Sequence, residues 1–420
     1  MTGGAAKVFN RVIPAPPEGQ KGWIQSPAGV GITVLIPIVV VVLVILFWIS
    51  GTGESEFDQC LRRASDLATT ARGIASSDVA GQTAAWNGAL TLVSQCETLK
   101  EGGDPVLTQI KTEGRAFLDR QLLVDRRQVQ VVDAFTNADL TRIVLQGDDI
   151  YVLDSRNQQV YRVTLGDDGM SAAPGTRTPI QAMRRSGQVI QFTVGELVDI
   201  AWAESGAGLA QANVITALDS NGVLIACPPR FLQDCTAQML RGQEAWGAPK
   251  AYTFWEGRLY ILDPEANQIW RYDPSGGSYA GMPLEYFTGQ SRPDIRSAID
   301  FGITLSGEVY ILLADGVVVR FASARLQPFA FSGFADNATA IGSANGMFLN
   351  KLPIAQGLFF VNRENRTVYE TTMAGTFLRS YRAHDEDLFA QLSHVAADAS
   401  QIVYVLSGNS ILAFPRGQQG

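Results

Sequence analysis

The spacing of hydrophobic and polar positions changes character three times along the chain. From Val30 to Ile49 the run VGITVLIPIVVVVLVILFWI is apolar on every helical face, and no charged residue stands between Lys21 and Glu54. About 20 such residues are what a helix rising 1.5 Å per residue needs to cross a bilayer core. The pattern therefore predicts one transmembrane helix over 29–50. Pro37 is tolerated in such a helix because local groups re-satisfy the carbonyl it frees. A cleaved signal peptide would carry a shorter apolar core and a small-x-small site after it. This run instead ends in Phe47-Trp48-Ile49, with Trp48 placed for a membrane–water interface.

From Glu54 to Gln128 apolar residues recur at helical spacing and predict a three-helix stalk over 54–128. The first helix shows Phe57, Leu61, Ala64, Leu67 or Ala68, Ala71 and Ile74, the second Ala85 or Trp86, Ala89 or Leu90, Val93 and Leu99, and the third Val106 or Leu107, Ile110, Gly114, Phe117 or Leu118, and Leu122. Ser76-Ser77-Asp78 and Gly102-Gly103-Asp104-Pro105 separate them, and Asp104 before Pro105 suits an N-cap and first helical position. In an antiparallel hairpin turning near Asp78, facing residues have numbers that sum to about 157, which sets Cys60 opposite Cys96 at disulfide distance.

After Val131 the period becomes that of strands, and one phrase returns. It reads IYVLDSRNQQVYR from Ile150, LYILDPEANQIWR from Leu259, VYILLADGVVVR from Val309, LFFVNRENRTVY from Leu358 and IVYVLSGNSILA from Ile402, with a looser VITALDSNGVLI from Val214. Each is a strand, a short polar turn and a second strand, which is a hairpin. Copies roughly 45 to 65 residues apart leave room for about four strands each, the period of a propeller blade. The expected fold is mainly β: a six-bladed β-propeller over 129–420, closed by Val129–Phe135 against the last blade, leaving no open sheet edge.

Composition refines this outline. The net charge of −8 argues against a nucleic-acid partner, because phosphate neutralisation needs a basic surface. Lys7, Arg11 and Lys21 precede the apolar run, while Glu54, Glu56 and Asp58 follow it. By the positive-inside rule the tail 1–28 is cytoplasmic and the remainder lies outside the cytoplasm at the cell membrane. All four cysteines, Cys60, Cys96, Cys227 and Cys235, then share a compartment that permits disulfides, with Cys227 and Cys235 stapling a Pro-containing loop.

Candidate chemistry is sparse. Asp154, Asn157, Asp263, Asn267 and Asp315 recur in the hairpin turns, where such residues cap their own turn through backbone N–H groups. Arg162, Arg271 and Arg320 end second strands of hairpins and read as inter-blade salt bridges or solvated edges. His384 and His394 are the only histidines; the acidic neighbours Asp385, Glu386 and Asp387 read as a solvated loop. No nucleophile elbow, zinc-protease or phosphate-loop motif occurs, so no catalytic or metal residue and no cofactor is assigned.

The turn phrases Asp154–Asn157 and Asp263–Asn267 resemble NHL-type six-bladed propellers, and Ala85-Trp86-Asn87-Gly88-Ala89-Leu90 resembles one tetratricopeptide repeat. The order of tail, anchor, helices and propeller resembles the extracytoplasmic half of bacterial membrane-anchored Ser/Thr kinases and PP2C-type phosphatases. That resemblance implies a sensor or interaction domain. The expectation is a non-enzymatic binding, sensor or scaffold module for a protein or envelope ligand. The alternatives are an accessory subunit of a membrane complex and a metal-dependent propeller hydrolase or lactonase.

Overall fold

The computed structural model describes residues 55–417 apart from 101, 205–207, 289–291, 336–340 and 353–355. The expected transmembrane helix lies outside the described residues, and among those described no helix is long and apolar enough to cross a membrane. The chain forms two compact units parted between Leu118 and Asp119.

The first unit is helical. Helices α1 (Glu56–Gly73) and α2 (Val79–Leu99) pair as a hairpin, followed by α3 (Pro105–Gln121). Ser55 and Asp78 cap the first two by accepting the backbone N–H of Asp58 and of Gly81, which satisfies donors that have no partner within the helix. Ala64, Ala68 and Ala71 of α1 are fully buried against Trp86, Ala89 and Val93 of α2. Such small side chains let the two backbones approach. Cys60 and Cys96 are disulfide-bonded with their Cα atoms 5.6 Å apart, which fixes the register of the hairpin. In α3 a Cβ on Gly114 would stand 2.9 Å from the Trp86 ring, so only glycine allows this packing.

The second unit is a six-bladed propeller of antiparallel sheets. Blade 1 comprises Leu140–Gln146, Asp149–Asp154, Gln159–Thr164 and Thr178–Arg184; blade 2 comprises Leu197–Ala203, Val214–Asp219, Val223–Cys227 and Thr236–Met239. Blade 3 comprises Ala251–Trp255, Arg258–Asp263, Gln268–Tyr272 and Leu284–Glu285; blade 4 comprises Ala298–Ile303, Val309–Leu313, Val318–Ala322 and Arg325–Gln327. Blade 5 runs Gly346–Asn350, Gly357–Asn362, Thr367–Thr371 and Phe377–Ala383, and blade 6 runs Leu392–Ala397, Ile402–Ser407 and Ser410–Pro415. The recurring phrase supplies the second and third strands of every blade. These second strands are almost wholly buried, as expected where both sheet faces pack against neighbouring blades.

Gln130–Ala134 completes blade 6 by pairing antiparallel with Ser410–Pro415, so the first strand of the ring closes on the last. Val124–Arg127 adds in parallel to Phe377–Ala383 as a fifth strand of blade 5. The helical stalk expected over 54–128 includes this segment: VDRR shows no alternation, and its partner lies far downstream, so nothing local marks it as a strand.

The turn residues tie loops as well as their own turns. The Asp154 carboxylate accepts N–H groups from Arg156 and Asn157 and also from Asp139, ahead of the first strand of the blade. Asp263 does likewise for Ala266, Gly247 and Ala248. Asn157 bonds the Asn137 carbonyl, Asn267 holds Pro293 and Ile295 at the entry to blade 4, and Asp315 accepts the Val317 N–H. The arginines are not inter-blade ion pairs. Arg271 pairs with Asp273 and Arg320 with Glu308, both close by in sequence. Arg162 lies 4.0 Å from Asp149 of its own strand pair and crosses to blade 2 only through the Pro229 carbonyl, at 2.6 Å. Cys227 and Cys235 form the second disulfide, with Cα atoms 4.2 Å apart.

Candidate functional site in the central channel

The first strand of each blade lines the centre of the ring, and six positions share one register. Arg142, Asp199, Ala251, Asp300, Gly346 and His394 each stand opposite the penultimate residue of the second strand: Leu153, Leu218, Leu262, Leu312, Val361 and Leu406. In four blades a register shift precedes the position, at Thr141, Val198, Ile299 and Ser393. Those four blades carry the charged or titratable side chains. A bulge re-aims the following residue, and here each bulge precedes a functional group.

The two blades without a bulge carry Ala251 and Gly346, and their strands are held by their neighbours. Asp199 accepts the Ile200 N–H on one oxygen and the Tyr252 N–H of blade 3 on the other, at 2.8 and 3.0 Å. Asp300 repeats this one blade pair later, accepting Phe301 and the Met347 N–H of blade 5, both at 2.9 Å. Gly346 makes room for the last member: a Cβ there would lie 2.7 Å from the Ser393 carbonyl and 3.2 Å from His394.

Arg142 sits among these side chains. Its Nε is 3.1 Å from Asp199 Oδ1 and its Nη1 is 2.8 Å from Asp300 Oδ2. His394 Nε2 is 3.3 Å from the same Asp300 oxygen. Asp199 and Asp300 are each 4 % exposed and His394 is 7 % exposed. Burial pushes the Asp300 carboxyl up, but Arg142 and His394 outweigh it and hold the group well below the usual carboxylate range. At Asp199 burial wins, aided by the charge on Asp300, and the carboxyl stays above its ordinary value despite Arg142. Burial pulls the Arg142 guanidinium down, and the two carboxylates more than reverse it.

The cluster lines a cavity of about 1000 Å³ together with aromatic side chains including Trp202, Tyr252 and Phe348. Two polar atoms on its lining residues have no partner in the described residues: His394 Nδ1 and Asn350 Nδ2. Buried polar atoms are nearly always paired, so such orphans mark where a ligand or water belongs. Among the described residues, His, Cys, Asp and Glu do not gather in threes able to hold a metal ion. The donor set accounts for this, because both ring aspartates are turned to the guanidinium. At the ring itself the metal-dependent form of the hydrolase expectation finds no free carboxylate, since Arg142 holds both aspartates.

The two histidines part company. His384 lies in an exposed acidic loop, as the sequence implies, whereas His394 is buried in the ring. The hairpin residues Asp154, Asn157, Asp263, Asn267 and Asp315 serve loops and do not enter the cluster.

No family model matches the chain, and no curated protein matches it in sequence. Solved structures similar to it include a gluconolactonase of Xanthomonas campestris, with 10% identity, TM-score 0.46, and coverage of 71% of this chain and 92% of that one. A calcium-binding regucalcin of Agrobacterium tumefaciens is similar at 10% identity and TM-score 0.45, covering 70% and 97%. A luciferin-regenerating enzyme follows at 9% identity and TM-score 0.44, covering 69% and 95%. The expectation of a non-enzymatic module rested on finding no gathered set of titratable side chains, and that premise is corrected by the ring, where Arg142, Asp199, Asp300 and His394 meet; the proteins similar in fold, enzymes among them, are like this chain in fold alone. The physical reason it failed is ring closure, which gathers Arg142, Asp199, Asp300 and His394 from four blades that no local motif connects.

Proposed function

We propose that the propeller is a hydrolase of carboxylic esters or lactones that works in the central channel with the chain's own side chains. The observation that carries this reading is the buried Asp300–His394 pair, whose second imidazole nitrogen lines the cavity without a partner. A neutral His394 that donates its Nε2 proton to the Asp300 carboxylate keeps a lone pair on Nδ1. That lone pair takes a proton from water as the water oxygen adds to the substrate carbonyl carbon. The carbonyl carbon–alkoxy oxygen bond then breaks, the proton passes to the leaving alkoxide, and a lactone opens to its hydroxy acid. Asp300 and Arg142 are positioning residues: one orients the imidazole and stabilises its cation, and the other keeps Asp300 ionised.

The test is turnover of aliphatic lactones and p-nitrophenyl esters by the full chain, with and without EDTA. The expected result is EDTA-insensitive hydrolysis lost in H394Q and reduced roughly 10²- to 10⁴-fold, the usual contribution of a general base. Absence of turnover across the panel, or equal rates in H394Q, removes the reading. The inside-positive flanks and the two disulfides support placing this activity outside the cytoplasm. Protease shaving of intact cells checks that placement, since a propeller cut only after lysis opposes it.

A further inference from the structure

We infer that the channel takes an organic cation, so that, on the hydrolase reading above, its substrates are esters or lactones carrying an ammonium group. Among the described residues, seven carboxyl side chains line the cavity against two cations, Arg142 and Lys351. Arg142 is committed to Asp199 and Asp300 at the level of the ring. Toward the other ends of the inner strands stand Asp148, Glu204 and Asp398, with Asp167 and Asp168 from the loop after the third strand of blade 1. Asp398, Asp168 and Asp148 act together on the Tyr404 hydroxyl, which burial and these charges push up, so the three carboxylates share one neighbourhood. Lys351 is the single counter-charge at that level among the described residues; burial pulls its ammonium down and Glu204 only partly restores it. A cleft lined so unequally concentrates cations and repels anions.

The walls add a second preference. The half-buried Trp202 and Phe348 line the same cavity, and an alkylammonium against such rings gains cation–π attraction on desolvation. The orphaned atoms complete the ligand's outline. Asn350 is 1 % exposed and its Nδ2 lacks an acceptor among the described residues, while its Oδ1 already accepts the Leu352 N–H. Asn350 lies on the inner strand of blade 5, four residues beyond the ring position Gly346, a rise of roughly 13 Å. A ligand with a cationic group among the carboxylates and a carbonyl or ether oxygen for Asn350 matches both features.

Titration calorimetry on the full chain with tetramethylammonium tests this, with acetate and tert-butanol as anionic and neutral counterparts. Tetramethylammonium is expected to bind, more weakly as salt rises, and about tenfold more weakly in the folded D148N/D398N variant. W202L, checked by circular dichroism, is expected to weaken it as well. Preferential binding of acetate, no tetramethylammonium binding, or unchanged affinity in both variants overturns the inference. Failure of the catalytic reading looks different: ammonium binding without hydrolysis keeps the cation site, whereas hydrolysis of neutral esters that tetramethylammonium does not inhibit removes it.

Discussion

Asp199 and Asp300 occupy the same strand register and the same degree of burial, yet their carboxyls are driven in opposite directions. Both share the Arg142 guanidinium, but Asp300 receives Nη1 at 2.8 Å and His394 besides, whereas Asp199 has only Nε at 3.1 Å. Two buried carboxylates beside one cation cannot both ionise freely, and the better-paired one keeps the charge. D300N therefore strands Arg142 with a single partner and is expected to destabilise by about 3–5 kcal/mol, the usual result of breaking a buried pair. D199N keeps Asp300 and loses one carboxylate acceptor, a loss of about 1–2 kcal/mol. Linkage gives the pH dependence. The depressed folded-state value of Asp300 means its stabilisation is complete above the unfolded carboxylate range, near pH 4, and is lost as pH falls through the folded value. Asp199, raised on folding, runs the other way and is relieved as pH falls through its folded value. Thermal unfolding of wild type and D300N should show a wide gap at pH 7 that narrows below about pH 4; a gap independent of pH would contradict this charge assignment.

At the scale of elements, the two disulfides differ in the chain they close. Cys60–Cys96 spans 36 residues and Cys227–Cys235 spans 8. On loop-closure entropy the first stabilises by up to about 4 kcal/mol and the second by about 2.5 kcal/mol. C60S/C96S should lower the melting of the far-ultraviolet helical signal and leave the β signal of the propeller in place; loss of both signals together would show that the helices and propeller unfold as one. The pairing of Cys60 with Cys96 was legible because a helical hairpin has a fixed arithmetic of facing residues. The paired strands were legible for a similar reason: IYVLD, LYILD and VITALD carry their own turn residues and alternate within a few positions. The functional group was not. Asp199 and Asp300 sit in the short phrases VDIA and IDFG, and His394 in SHVA, each one residue past a bulge. A bulge leaves no composition signal, and Arg142, with no similar phrase around it, becomes notable only when three other blades bring their side chains beside it. The repeated pairing of a short apolar strand with one buried titratable residue was the signal available.

For the whole molecule, the channel depends on a seam remote from it in sequence. Arg142 belongs to blade 1 and His394 to blade 6, the two blades that meet where the ring closes. The Ser393 hydroxyl donates to the Leu140 carbonyl across that seam at 2.6 Å. Closure itself rests on Gln130–Ala134 pairing with Ser410–Pro415, and Val132 in that strand is buried in a core shared by blades 1 and 6 with Ile143, Ile402 and Tyr404. Placing a carboxylate there leaves it unpaired in an apolar core. V132D is therefore expected to destabilise by about 2–4 kcal/mol, and to do so unevenly. Hydrogen exchange should accelerate in Leu392–Ala397 and Leu140–Gln146 together, while Val214–Asp219 and Ala251–Trp255, away from the seam, keep their protection. If hydrolysis runs on the Asp300–His394 pair, V132D should lose turnover at temperatures where blades 2 and 3 remain protected, because the imidazole moves with the seam and Asp300 does not. Uniform loss of protection around the ring would mean instead that the six blades open as one cooperative unit, with the closing strand holding no special control over the channel.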